Sequence, residues 1–477
     1  MSESPSTRWT MGTAPGSLPW IGHAWQMLRR PLAFLTSLRR SGDIVRIQLG
    51  PESAYLVRHP ELLRQVLVND PAIFDKGGPV FEKARTLVGN GLASCPHRAH
   101  RRQRQLMQPA FNRDRLSSYA AVMRDQASAM ADSWRPGQVV DVHKEMNSLA
   151  LAVVARTLCV TDAAERTAAE LQRSVPVILE GMYHQMLAPV ELMQKLPLPG
   201  NLRFNRAFRR TRAAVDQIID DYRRAGVDHG DLLSTLLAAR DEDTGEGMTN
   251  REIRDQIMTL LLAGTETAAA TLAWAFHLLG EHPEIERRLH TEVDEVLSGR
   301  TAGFDDVHKL GYTQRVISET LRLYPPTWLL SRRTTEEVTL GGHRLAPGTN
   351  ILFSLYALQR DPEFFPDPER FDPDRWLPER SKAVPRGAML PFGAGQRKCI
   401  GEAFGVTEAT IVLSTLAGRF RLRPIHGAKI DLVPRMTLNP GALPMRVEAR
   451  DCAGKTRRPR EGSAAPSPCP WMPPSGS

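Results

Sequence analysis

Between Pro60 and about Phe420, apolar residues recur every three to four positions, so most of the chain reads as helix. Glu61–Val68, Arg115–Trp134, Val142–Leu158, Ala164–Glu180, Arg206–Arg224 and Asp231–Arg240 each carry such a stripe. Ahead of them, Asp43–Gly50 and Ser53–Arg58 alternate polar and apolar residues around a turn at Pro51, which predicts a β-hairpin. Short strands are predicted again at Glu337–Leu340 and around Ile351–Phe353. Pro325–Pro326 and the stretch Pro362–Pro385 interrupt the helices. The pattern predicts one mainly α domain with small β-sheets and no internal repeat. It contains no βαβ alternation and no Gly-rich dinucleotide turn, so no flavin or nicotinamide site of its own is expected. Residues 1–20 read as a flexible lead-in and 21–450 as a single domain. Residues 451–477, rich in Pro, Ser and Gly, read as a disordered tail.

Charge and cysteines narrow the class. A net charge of +9 would admit nucleic acid. The basic residues, however, are spread along amphipathic segments without interleaved aromatics, so a docking face for an acidic protein is expected instead. No apolar run reaches the roughly 20 residues of a membrane span. The N-terminus lacks the basic-then-apolar order of a secretory signal. A cytoplasmic monomer is the expectation. The five cysteines are Cys95, Cys159, Cys399, Cys452 and Cys469; their number is odd and no CxxC pair occurs. A disulfide framework or zinc site is therefore not expected, and any cysteine that matters should act alone, as a thiolate.

The loop Phe392-Gly-Ala-Gly-Gln-Arg397-Lys-Cys399-Ile-Gly401 surrounds a cysteine with cations and glycines. Positive neighbours and open backbone N–H groups favour a thiolate. Glycines let the backbone pass close to a flat cofactor. The string resembles the haem-binding signature FxxGxRxCxG of the cytochrome P-450 superfamily, with every fixed position filled. Phe404 and Glu408 of the following segment also match. The resemblance implies that fold, with haem b held between a long central helix and the cysteine loop. It makes Cys399 the iron ligand and Phe392 and Arg397 haem contacts. A thiolate ligand favours O–O cleavage.

Three further segments carry the resemblance. Thr249 and Glu252 form a capping box that opens a long apolar helix. In its middle lies Ala263-Gly264-Thr-Glu266-Thr267, similar to the family's AGxET oxygen groove. There Ala263 and Gly264 leave room, while Thr267 and Glu266 hold dioxygen and relay protons to it. Glu319-Thr-Leu-Arg322 resembles ExxR, and Pro368-Glu-Arg370-Phe371 resembles PERF. Together they imply a buried Glu319–Arg322–Arg370 network with a structural role. His100 and Arg104, four apart, resemble the (W/H)xxxR propionate clamp, with Arg101 and Arg102 facing outward. Arg332 or its neighbour Arg333 would take the other propionate.

Wording such as IFDKGGPVFE, YPPTWLLSRR and VPRMTLNPG is similar to the actinobacterial sesquiterpene oxygenases, the pentalenene-oxidising enzymes among them. That implies a monooxygenase acting on a sesquiterpene hydrocarbon in terpenoid antibiotic biosynthesis, oxidising a methyl to an alcohol and then to an aldehyde. Dioxygen would be the co-substrate. Electrons would come from NAD(P)H through a ferredoxin reductase and a ferredoxin that docks near Arg101, Arg102 and Lys398. Apolar residues expected to line the pocket are Phe81, Leu92, Ile178, Met182, Met186, Leu260 and Thr327–Leu330, Leu329 included. A different lipophilic substrate (fatty acid, macrolide or steroid), a peroxide-driven enzyme and a haem sensor or carrier stay open at this point.

Overall fold

The computed structural model describes residues 9–159, 162–187 and 196–450. Among these, ten helices have ten or more residues: α1 Pro79–Val88, α2 His97–Met107, α3 Arg113–Ser133, α4 Val142–Leu158, α5 Asp162–Leu187, α6 Pro199–Ala225, α7 Asn250–Glu281, α8 Pro283–Leu297, α9 Gly311–Leu323 and α10 Glu402–Arg419. Helix α7 is the axis. Its 32 residues span about 48 Å at 1.5 Å each. The predicted capping box starts it, with the Thr249 N–H donating to Glu252 at 2.9 Å and the Glu252 N–H to the Thr249 hydroxyl at 3.2 Å. Length and apolarity alone would let α7 cross a bilayer. Here its apolar surface is spent on protein, because α4, α6, α9 and α10 all pack against it.

Thirteen strands are described: β1 Met11–Thr13, β2 Ile44–Leu49, β3 Glu52–Val57, β4 Phe74–Asp75, β5 Val139–Asp141, β6 Leu329–Thr334, β7 Val338–Leu340, β8 His343–Leu345, β9 Asn350–Ser354, β10 Phe420–Pro424, β11 Val433–Pro434, β12 Leu438–Asn439 and β13 Pro444–Ala449. The largest sheet has the order β1-β2-β3-β9-β6-β4. The predicted hairpin is its β2–β3 pair, with Ile44 opposite Val57 and Leu49 opposite Glu52. The expected lead-in needs correction. Met11–Thr13 pairs in parallel with Ile44–Arg46 and Ala14 is buried, so the sheet begins inside residues 1–20. A three-residue strand is too short to show a period, and that is why the pattern missed it. The expected tail, 451–477, lies outside the described residues, as does the side chain of Met186.

The network under the thiolate loop is buried but differs in its third member. Glu319 and Arg322 on α9 pair at 2.8 Å with no solvent exposure of either side chain. Arg370 contributes only its backbone carbonyl, which accepts from Arg322 at 3.0 Å; its side chain is exposed. The second arginine on Glu319 is Arg375, at 3.3 Å, and the Trp376 indole N–H adds a bond at 2.9 Å. Gln359 continues the connection. Its amide donates to the Leu321 and Arg322 carbonyls, both at 3.0 Å, and its oxygen accepts from the Leu390 N–H at 3.2 Å, where the thiolate loop begins.

Candidate active site

Helices α2, α4, α7 and α10, strand β6 and the loop Pro391–Gly401 enclose a cavity of about 360 Å³. Cys399 lies on its wall, and the Cys399 N–H donates back to the Phe392 carbonyl at 2.8 Å, closing the loop. Gly401 stands so close that a Cβ there would lie 3.9 Å from the sulfur. Contrary to the expectation from the cations alone, burial dominates and raises the thiol pKa. The Gly401 N–H, Arg104 and Lys76 pull the other way. A metal at the sulfur would reverse that balance, because a coordinating thiol is deprotonated outright.

One end of the cavity gathers positive charge. His100 is buried on α2, and its pKa falls to about 3 through burial and the nearby Arg397, Lys76, Arg104 and His97, so it stands neutral. Arg104 donates to the Lys398 carbonyl at 2.6 Å. Arg332 on β6 is buried, and its pKa is lowered to about 10 by burial and Arg397. Its neighbour Arg333 points away, toward Glu82 at 3.4 Å. Strand alternation is the reason: Leu330 and Arg332 face the cavity, Leu329 and Arg333 do not. Arg397 is held by Asp75 at 2.7 Å. Lys76, which the sequence reading missed, also lines this end. Burial beside Arg332 and Arg397 drops its pKa to about 7. It stands alone before two glycines, where no periodicity points to it.

The long walls are apolar. Leu92, Leu260, Ala263, Ala268, Thr327 and Leu330 line the cavity on one side, Phe392, Phe404 and Ala409 on another. Ala263, Gly264, Thr267, Ala268 and Thr271 share the face of α7 that meets it. Gly264 has a second duty, since a Cβ there would come within 2.9 Å of Val154 on α4. Five expected pocket residues lie elsewhere: Phe81, Ile178, Met182, Trp328 and Leu329. Ile178 and Met182 bury against Val88, Phe204 and Ala207 in a satellite core. Leu329 packs into the core beneath the large sheet, with Trp328 and Leu352. Phe81 is outside the cavity wall, with the Lys76 ammonium 5.8 Å from its ring centre.

Thr267 donates its hydroxyl proton to the Ala263 carbonyl at 2.6 Å. Its oxygen lone pairs are left for the cavity, free to accept from a proton donor placed there. Glu266 is not on the cavity wall. It is largely buried toward Arg435 and Thr437, and burial lifts its pKa to about 7 against their opposing pull. A carboxyl that is half protonated near neutrality is suited to pass protons.

Glu408 on α10 also lines the cavity, with no hydrogen-bond partner for one carboxyl oxygen, and burial alone raises its pKa to about 8. The folded state therefore binds this proton more tightly than the unfolded chain, and stability falls as pH rises from the unfolded value of 4.5 toward 8. Glu408→Gln removes that loss. Thermal melts of the two proteins at pH 5 and pH 8.5 should show a gap in favour of the variant that widens at the higher pH. An equal gap at both values would mean that Glu408 does not titrate in this window.

The arrangement fits haem. A sulfur on the wall, a cationic end for two carboxylates and apolar walls match a dianionic metal-bearing macrocycle. Among the described residues Cys399 is the one on this wall that would ligate haem iron, and no group of three His, Cys, Asp or Glu could hold a metal ion.

Comparison with known proteins agrees. The model of the family described as Cytochrome P450 matches residues 13–443. Cyclooctatin synthase of Streptomyces melanosporofaciens is 51% identical over 94% of this chain and 98% of its own length. Cyclooctat-9-en-7-ol 5-monooxygenase of the same organism is 50% identical over 94% and 97%. Pentalenene oxygenase of Streptomyces avermitilis is 48% identical over 92% and 97%. The solved haem domain of cytochrome P450DA superimposes with a TM-score of 0.84 at 24% identity, covering 93% of this chain and 98% of that one.

Proposed function

The chain belongs to the cytochrome P450 family, a haem-thiolate monooxygenase fold, and from that premise we propose that it oxidises a C–H bond of a polycyclic terpenoid. Bound haem would supply the activation of dioxygen. Cys399 would ligate its iron, and His100, Arg104, Arg332 and Arg397 would hold its propionates. The observation that carries the substrate class is the division of the cavity. Its cations gather at one end, where the propionates would use them, and the wall beneath α7 carries Leu92, Leu260, Ala263, Ala268 and Leu330. An uncharged hydrocarbon skeleton would bind there by burial, at roughly 25 cal/mol per Å² of apolar surface. The relatives' names support the class and widen it. Pentalenene oxygenase is 48% identical, and the two proteins named for cyclooctatin and cyclooctat-9-en-7-ol are 51% and 50% identical. Pentalenene and a terpenoid already bearing a hydroxyl are both in range, within terpenoid antibiotic biosynthesis in the cytoplasm. Spectral titration should show a low- to high-spin shift with one of these and turnover to a mono-oxygenated product. Tight binding and turnover of a fatty acid or macrolide, with no response to terpenoids, would overturn the reading.

Electrons would arrive from NAD(P)H through a ferredoxin reductase and a ferredoxin. The docking face is narrower than the sequence suggested, because Arg102 is taken by Glu252 at 2.8 Å and Asp241 at 3.6 Å, and Lys398 by Glu402. Arg98 and Arg101 remain exposed on α2.

Thr267 and Glu266 would deliver protons, Glu266 from the Arg435–Thr437 side and Thr267 by holding the donor at the cavity face. Thr267→Ala should leave substrate binding and NADPH use near the parent's level. Product per NADPH should drop severalfold while hydrogen peroxide rises. Coupling equal to the parent's would reduce Thr267 to a core residue.

A further inference from the structure

The first forty residues carry a surface that oxidation of a cavity-bound substrate does not need. Pro19, Trp20 and Ile21 form the tip of a tight turn closed by two bonds between Leu18 and Gly22, at 3.0 and 2.9 Å. Trp20 is 96% exposed and takes a left-handed φ of +66°, a conformation a bulky non-glycine residue rarely adopts. The turn is anchored from behind, since the His23 N–H donates to the Gln48 carbonyl of β2 at 2.6 Å. The indole is thus displayed by a rigid frame. The helical turn that follows, Ala24–Arg29, buries none of its residues and exposes Trp25 and Leu28. Leu18 and Ile21 are exposed as well. Five exposed apolar side chains within eleven residues of chain, Leu18 to Leu28, make this stretch a candidate docking surface.

Charge identifies the occupant. From Ser4 to Gly42 the chain has no Asp or Glu and five arginines, at 8, 29, 30, 39 and 40. Arg29 lies over the Trp25 ring at 4.5 Å, with Arg30 exposed beside it. A second copy of the chain would bring the same arginines face to face in an isologous contact, where they repel. An acidic protein would answer the arginines but would need a matched pocket for three separate apolar tips. An anionic lipid surface takes both at once, with indoles and leucine at the headgroup boundary and guanidinium groups on the phosphates.

We propose that the turn Leu18–Gly22 and the segment Ala24–Arg30 form a peripheral docking site for an anionic membrane surface. The contact is reversible and spans nothing; a few shallow side chains and several arginines hold it.

The test is co-sedimentation of the haem-loaded full chain with vesicles of phosphatidylcholine alone and of phosphatidylcholine mixed with phosphatidylglycerol. Binding to the anionic vesicles, weakened by salt and nearly absent on the neutral ones, is expected. Arg29→Glu with Arg30→Glu should weaken it roughly 30-fold or more, since each arginine near such a surface contributes about fivefold. Trp20→Ser with Trp25→Ser should weaken it while leaving the carbon monoxide spectrum intact, which certifies the fold. Absence of binding to anionic vesicles overturns the proposal. So does binding that neither variant changes, or a concentration-dependent dimer in sedimentation velocity that Trp20→Ser abolishes.

Discussion

Cys399→Ala should give a protein whose reduced carbon monoxide difference spectrum lacks the thiolate-type band and whose monooxygenase turnover is lost entirely. The argument rests on what the cavity offers in place of this sulfur. Cys159 is buried in the main helical core, where burial pushes its thiol up to about 12. Cys95 is the nearer rival. Its carbonyl accepts from Arg397 at 2.9 Å and its sulfur lies 3.9 Å from the same guanidinium. Its sulfur, however, is tied to the Leu92 carbonyl at 3.7 Å, and Cys95 does not line the cavity. Cys95→Ala and Cys159→Ala should therefore keep the band. The cationic end of the cavity is untouched by Cys399→Ala, so some haem should still be retained, measurable independently as a pyridine complex. A thiolate-type band that survives Cys399→Ala, or is lost with Cys95→Ala instead, would sink the assignment.

Most of what positions the site was legible in the sequence, for identifiable reasons. Long helices declare themselves by period. Val142–Leu158 and the start of α7 fall where the apolar spacing and the capping box put them. The loop around Cys399 is dense in fixed residue types, so a string could be read directly. Residues that gain their role from elements distant in sequence were harder. Arg375 reaches Glu319 across 56 positions and Lys76 feels the charge of Arg397 at the cationic end of the cavity, and neither leaves a mark on local pattern. The pocket lining failed for a related reason. Ile178 and Met182 have the composition of a substrate wall and the spacing of a helix core, and the core took them. Leu329 could have been corrected without a structure. Once Arg332 is turned toward the cavity, the period of two puts Leu330 on its face and Leu329 on the other.

The same comparison separates two ion pairs that look alike in sequence. Glu284–Arg287 and Glu319–Arg322 are both i,i+3 pairs on helices. The first is about 70% exposed at both side chains, at 71% and 68%. Such a pair is worth well under about 1 kcal/mol. The second is wholly buried, and its stoichiometry is complete. All five N–H groups of Arg322 are used: two on Glu319 at 2.9 and 2.8 Å, and one each on the carbonyls of Gln359, Pro368 and Arg370 at 2.9, 2.7 and 3.0 Å. Glu319 in turn accepts from Arg322, from Arg375, from the Trp376 indole and from the Asp372 N–H at 3.1 Å.

Glu319→Gln should therefore come close to abolishing the folded, haem-loaded protein. The amide keeps the shape but loses the charge, and it turns one acceptor oxygen into a donor that faces other donors. Two arginines are left buried without their anion, at a cost of about 3–5 kcal/mol for a broken buried pair. That is a large share of the roughly 5–15 kcal/mol by which proteins are stable. The damage should be felt first at the cysteine loop, because Gln359 ties α9 to Leu390. Arg322→Lys should fail equally, since one ammonium cannot reach five acceptors spread around a planar fork. The measurement is the yield of soluble protein, its haem content and its melting temperature, beside Glu284→Gln as the matched exposed control, which should stay within about 0.5 kcal/mol of the parent. If Glu319→Gln loads haem and melts like that control, the network does not hold the thiolate loop, and its burial needs another explanation.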